Sequence, residues 1–245
     1  AFFNKEDVWD VSRSVNGTSG TPEPMSPTYM VASLPDSDEP EFLLMTSFTP
    51  RNKPNLIGLM MARCDGEHLG ELNFLQLPKS PQFDGPIQIE SKISQDQTIS
   101  KDLTLWNQQG SQVLRGQMLV LPIANTLLYI EPIYIQASQS PMPQLKKIAM
   151  YAGGRLIYTD TYDQAVAELA GKIYQRRIHK DELKEFEQQY KIISNKMVAG
   201  RPSIHVYSDE PIDGDFAPAT PNLEDCFFAK TGRWTQPLLL PFLTF

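Results

Sequence analysis

Two apolar runs in the middle of the chain, Val113 to Ile123 and Leu127 to Gln136, form the strongest strand pair in the sequence. Leu119, Leu121, Leu128 and Ile130 are among their alternating apolar positions, the spacing that lines one face of a pleated strand. Pro122 and Pro132 each remove a ladder donor, so each must fall at a bulge, a strand end or an edge. A chain with this centre is built on an irregular, mostly antiparallel sheet.

The segments before it supply more strands. Tyr29 to Leu34 and Phe42 to Phe48 flank the acidic stretch from Pro35 to Pro40 and read as a hairpin. Leu56 to Ala62 and Leu72 to Leu77 repeat that arrangement, although the first run is short enough to be helical instead. Asn4-Lys5-Glu6-Asp7 ahead of Val8 and Trp9 suits a short capped helix, and Ser12 to Pro27 reads as a Gly- and Pro-rich loop. From Pro86 the period changes: Ile89 and Ile93, then Ile99, Leu103 and Trp106, recur at helical spacing on either side of Gln95-Asp96-Gln97. Gly110 is placed to stop the second of these helices near Gln109.

Beyond the central pair, Gly153-Gly154 predicts a tight hairpin between Ile148–Tyr151 and Arg155–Tyr158. Asp160 and Thr161 cap a helix with Ala165, Leu169 and Ile173 on one face, and a more polar surface helix is expected from about 181 to 196. After Gly200 the chain is Pro-rich and irregular, with a strand at Ile204 to Tyr207 and an apolar end, Leu238 to Phe245, that needs cover. The expected class is α+β, an irregular, mostly antiparallel sheet with flanking helices.

Charge narrows the partners. Against 29 Asp and Glu stand 22 Lys and Arg, a net charge of −7, and no stretch interleaves basic residues with aromatics. Nucleic acid and anionic lipid both demand a positive footprint, so neither is an expected partner. The longest apolar stretch, Met118 to Ile130, is broken by Pro122 and Asn125 and falls short of the ~20 residues that span a bilayer. The chain opens on Ala-Phe-Phe without a leader and reads as a soluble piece excised from a longer protein.

Motifs for chemistry are sparse. Cys64 and Cys226 lack metal or redox spacing and read as two buried thiols, or as a disulfide if the compartment is oxidising. His68, His179 and His205 sit in no nucleophile or metal motif, and neither glycine cluster is followed by the Lys-Ser or Lys-Thr of a phosphate loop. Asp209, Asp213 and Asp215 around Gly214 loosely suggest a calcium loop, but Pro211 and Thr220 stand at ligand positions, and a solvated acidic loop fits better. No catalytic residue, metal site or cofactor is predicted.

Longer phrases carry a resemblance. Phe3-Asn4-Lys5-Glu6-Asp7-Val8-Trp9, Glu41 to Pro50 and Leu103 to Ser111, with Gly85 to Glu90, Arg115-Gly116 and Leu128 to Tyr134, are similar to the C-terminal part of the bacterial membrane proteins of uncharacterised protein family 0182. The resemblance covers residues 1–175 and leaves 176–245 as a helix and Pro-rich tail packing on the family-like domain. It implies N-terminal transmembrane helices followed by an extracytoplasmic region to which this segment belongs. It supplies no catalytic or ligand residues.

In that setting the most concentrated polar and aromatic segment is Trp106-Asn107-Gln108, with Arg115 and, on the neighbouring strand, Glu131. These residues can form a stacking and hydrogen-bonding surface for a glycan or peptide. They fit equally a plain structural role, with Trp106 in the core, the amides closing a turn and Arg115 paired with Glu131. The expected function is a non-catalytic extracytoplasmic module of a bacterial integral membrane protein that packs on the upstream part of its own polypeptide or on an envelope partner. The alternative is part of an envelope enzyme or transport accessory, whose signature is a cleft lined by ionisable groups with shifted pKa such as Glu90, Asp102 or Glu131.

Overall fold

The alternating centre of the sequence forms a strand ladder in the computed structural model, which describes residues 8–18, 20–32, 34, 41–108, 110–123, 126–198 and 200–232. The chain divides into two compact units at the Thr159–Asp160 junction.

The first unit begins with β1 (Trp9–Val11), β2 (Arg13–Val15), β3 (Pro22–Pro24), β4 (Thr28–Ala32), β5 (Glu41–Pro50), β6 (Gly58–Arg63) and β7 (Leu72–Gln76). In β5 every second residue, Leu43, Met45 and Ser47, is buried, so one face meets the core. β4 and β1 lie end to end along one edge of β5, and β6 then β7 extend the other, all antiparallel. The run expected from Leu56 to Ala62 is therefore a strand from Gly58 onward, with Leu56 in a separate bridge to Phe83. The expected helix near Asn4 lies largely outside the described residues, but Trp9–Val11 is extended, because its backbone completes the edge of β5. Part of the expected loop is also ordered as sheet: β2 and β3 pair with each other, with Val15 opposite Pro22.

Helices α1 (Pro86–Gln95) and α2 (Gln97–Trp106) follow. Asp96 separates them and caps the second, its Oδ1 accepting from the amides of Thr98 and Ile99 at 3.0 and 3.2 Å. Ile89, Ile93 and Ile99 are buried, as their spacing requires. α2 ends at Trp106 rather than near Gln109: Asn107 is the C-cap, and Gly110 (φ 97°) serves the following turn.

The second sheet comprises β8 (Ser111–Arg115), β9 (Leu119–Ile123), β10 (Thr126–Ala137), β11 (Ser140–Ala152) and β12 (Arg155–Asp160). The run expected as one strand from Val113 is two, both paired with β10 on the same edge. Arg115 faces Ile133 and Leu119 faces Ile130, so Gly116-Gln117-Met118 oppose only Glu131 and Pro132. That is a bulge, and Pro132 lies opposite it. On the other edge β10 pairs with β11, and Gly153 and Gly154 (φ 58° and 82°) turn the chain into β12. Leu43, Leu59, Ile89, Ile93, Leu127 and Ile133 belong to one core shared by both sheets and the helices.

The second unit holds α3 (Tyr162–Glu168), β13 (Ile173–Arg177), a 3-10 turn at Lys180–Glu182, α4 (Leu183–Gln189), β14 (Lys191–Val198), β15 (Arg201–Tyr207), β16 (Ala217–Pro218) and α5 (Leu223–Thr231). Its sheet runs β14-β15-β13-β16 over a core of Tyr174, Ile178, Ile192, Ile204, Val206 and Phe216. Ile173 belongs to a strand, not to α3. The polar helix stops at Tyr190 because Ile192 and Ile193, adjacent and both buried, belong to an extended segment paired with β15. α5 replaces part of the expected irregular tail. Asn222 and Asp225 cap it reciprocally and Gly232 (φ 64°) ends it. Leu238 to Phe245 lie outside the described residues. The fold is α+β with mostly antiparallel sheets and short flanking helices, in four separate sheets among the described residues rather than one.

Gly85, the N-cap of α1, is needed for space. A Cβ there would sit 1.8 Å from the Pro54 carbonyl oxygen. Gly85→Ala is expected to lower unfolding stability by about 2 kcal/mol or more, read from the urea midpoint, as overpacking against backbone does.

Candidate buried carboxylate site

Glu131 sits at the β10 bulge, on the same strand face as the core residues Leu127, Tyr129 and Ile133. Its partner across β11 is Ala149, a small residue that is also fully buried. Glu131 itself is 0% exposed. Arg115, the last residue of β8, brings Nη1 to 2.9 Å from Glu131 Oε1. The approach is an ion pair without the alignment of a directed hydrogen bond, so neither Glu131 oxygen accepts one.

A second carboxylate comes from α1. Glu90 is 3% exposed and accepts from Ser14 Oγ at 2.7 Å and from the Val15 amide at 2.9 and 3.1 Å. Arg115 Nη2 donates to Ser94 Oγ at 2.7 Å, and Ser94 in turn donates to the Glu90 carbonyl. The Arg115 backbone completes the ring by exchanging hydrogen bonds with Gly17 at 2.9 and 3.2 Å. Two carboxylates and one guanidinium from α1, β8 and β10 are thus closed over by the β2–β3 segment.

The electrostatics follow from that composition. Burial pushes the Glu131 carboxyl up to about 7; Arg115 opposes the shift and the Glu90 charge adds to it. Burial also raises Glu90, against the hydrogen bonds from Ser14 and Val15 and the Arg115 charge. Such a site can hold or release a proton near neutrality.

The other residues singled out from the sequence lie in a different constellation. Trp106 packs against the core, with Lys147 Nζ 5.9 Å from its ring centre and paired to Asp102 at 2.5 Å. Asn107 and Gln108 are exposed, and the turn into β8 is closed by Ser111, which bonds the carbonyls of Trp106 and Gln108. The structure therefore joins Arg115 to Glu131 and to Glu90, while Trp106 joins Lys147. Ser14 escaped the sequence reading because it lies in a segment read as loop. Ser94 had a signal: it stands one helical turn after Glu90, beside the buried Ile89 and Ile93.

The remaining candidates have structural partners. His68 meets Glu71, and the His179 amide bonds Glu182. His205 meets the buried Asp225 at 3.1 Å, and Asp225 caps α5. Of the acidic loop, Asp209 pairs with Lys172 and Asp215 with Arg176. Both cysteines are free thiols rather than a disulfide, and burial pushes Cys226 up to about 11. Among the described residues no group of three or more His, Cys, Asp or Glu is placed to hold a metal, and no helix is long and apolar enough to cross a membrane.

These features define an α+β domain with a buried carboxylate cluster and, among the described residues, no obvious metal or cysteine centre. The chain belongs to the Uncharacterised protein family (UPF0182), whose model matches residues 1–106. It is 64% identical over 170 residues to a UPF0182 protein of the bacterium Solibacter usitatus, covering 69% of this chain and 19% of that one. To a UPF0182 protein of Desulfitobacterium hafniense it is 42% identical over 176 residues, and to one of Methanospirillum hungatei 39% over 188, covering 69% and 76% of this chain and 18% and 20% of theirs. The chain thus spans about a fifth of the length of the curated relatives it matches. No solved structure matches it.

Arg115→Met leaves both carboxylates without their counter-charge. At pH 8 it is expected to destabilise the chain by about 3–5 kcal/mol, the cost of breaking a buried pair. At pH 5.5, where Glu131 takes up a proton, the loss measured by urea denaturation should be smaller.

Proposed function

We propose that this domain is a non-catalytic extracytoplasmic packing module of an integral membrane protein, and that its partner is the upstream part of its own polypeptide. The observation that carries the reading is the apolar edge of the first sheet. On β4, Tyr29 and Val31 are 62% and 69% exposed, and the Tyr29 ring stacks on the half-exposed Phe42 of β5 at 5.1 Å. Beside them a groove of about 110 Å³ is lined by Met30, Met45, Leu59, Met118 and Val120.

Apolar side chains clustered on an edge strand are a hazard to a free domain and an asset to a docked one. The relatives have four-fifths of their length outside the matched segment, which supplies a covalently tethered occupant at high effective concentration. Net charge −7 supports a protein partner over nucleic acid or anionic lipid.

In the full-length relative-type polypeptide, a photo-reactive amino acid at Val31 is expected to cross-link, on illumination, to peptides from upstream of this domain. Cross-links confined to other proteins, or their absence at Val31 while a control site in the core reacts, contradict the reading.

A further inference from the structure

The cluster at the β10 bulge is unbalanced in both charge and hydrogen bonding. Its cation is Arg115, and its anions are Glu90 and Glu131. Of the other charged groups on the surrounding elements, Lys92 of α1 pairs with Asp84, Lys147 of β11 with Asp102 and Arg13 of β2 with the Pro22 carbonyl, while Glu23 of β3, opposite Ser14 in the ladder, is exposed. Tyr129 of β10 donates to the Asp84 carbonyl, and Tyr151 of β11 lies under Lys92. Acceptors are also in surplus. Both Glu131 oxygens are buried without a donor, as is Asn16 Oδ1, whose neighbours Val15 and Gly17 bond Glu90 and Arg115 respectively.

A proton supplies what is missing, one positive charge and one donor. We propose that Glu131 is a proton-binding site whose occupancy sets how tightly the β2–β3 segment is held against α1. With the proton in place, Arg115 is free to serve Ser94 and to offset Glu90, and Glu90 keeps its bonds from Ser14 and Val15. Without it, two buried carboxylates compete for one guanidinium, and the least costly relief is to admit water by releasing the segment that covers them.

The sign is fixed by the direction of the shift. The Glu131 carboxyl is held at about 7, above its ordinary 4.5, so its contribution is full below 4.5 and is lost as pH rises through 7. The device therefore closes in mildly acidic surroundings and loosens in alkaline ones.

The test compares the chain with its Glu131→Gln variant, a neutral isostere of the protonated acid, by hydrogen exchange at the Val15 and Gly17 amides. Intrinsic exchange is matched because both proteins are measured at the same pH. At pH 8.5 these amides should exchange at least about tenfold more slowly in E131Q than in the parent, the ratio that a pH unit of linkage supplies. At pH 5.5 the two should agree.

Exchange in E131Q that equals or exceeds the parent's at both pH values overturns the proposal. So does a slowing of parent exchange at pH 8.5 by sodium chloride over an equal concentration of choline chloride, absent from E131Q, because a metal cation would then be the ligand. Should E131Q fail to fold, the parent alone decides. A buried carboxylic-acid infrared band should be present at pH 5.5 and gone at pH 8.5, and its absence at pH 5.5 overturns the proposal.

Discussion

Arg115 holds one charge against two buried carboxylates, and the arrangement of the first unit turns on that. Placing Glu131 in the core is costly in isolation, since a buried carboxylate loses its water and gains no hydrogen bond in return. Arg115 offsets part of that cost at 2.9 Å, and Ala149 opposite leaves room for both side chains. A partly compensated cluster of this kind contributes little net stability compared with an apolar core. What it adds is placement: α1, β8, β10 and the β2–β3 segment all bring a polar group to one point.

The bulge makes that convergence possible. Gly116 donates to the Pro132 carbonyl at 2.8 Å, and a Cβ on Gly116 would lie 2.6 Å from the Pro132 ring. A proline on β10 and a glycine on its neighbour thus fit together where a regular ladder would need an amide and a side chain. The extra residue has a second effect. Gln117, pushed out of the ladder, bonds both the amide and the carbonyl of Ser26 and the hydroxyl of Thr28, so the bulge also fastens the start of β4. The apolar edge formed by Tyr29 and Val31 is therefore presented by a strand whose first residue is tied to the same bulge as Glu131.

Much of this was legible before the structure. The central strands, the two mid-chain helices and the Gly153-Gly154 turn follow from period and turn chemistry, which are local signals. The misses have non-local causes. Trp9–Val11 is extended because β5 offers an edge, and Lys191–Val198 because β15 pairs with it, overriding the helical spacing of Phe186, Tyr190 and Ile193. α5 was hidden in a Pro-rich stretch although its Asn222 and Asp225 cap and its Gly232 stop are plain in the sequence. Of the site, Arg115 and Glu131 could be paired by strand adjacency, and Glu90 could be flagged as an ionisable group near a helical stripe. Nothing local joins Glu90 to Ser14, which lies far from it in sequence within a Gly- and Pro-rich segment read as loop.

If one buried cluster organises the unit, Ser14 and Glu90 must be coupled well beyond what an exposed hydrogen bond provides. A double-mutant cycle with Ser14→Ala and Glu90→Leu, read by urea denaturation at pH 6, tests this directly. A coupling free energy of about 1–3 kcal/mol is expected, the range for a hydrogen bond to a buried acceptor. Additive losses, with coupling within about 0.3 kcal/mol of zero, would contradict it.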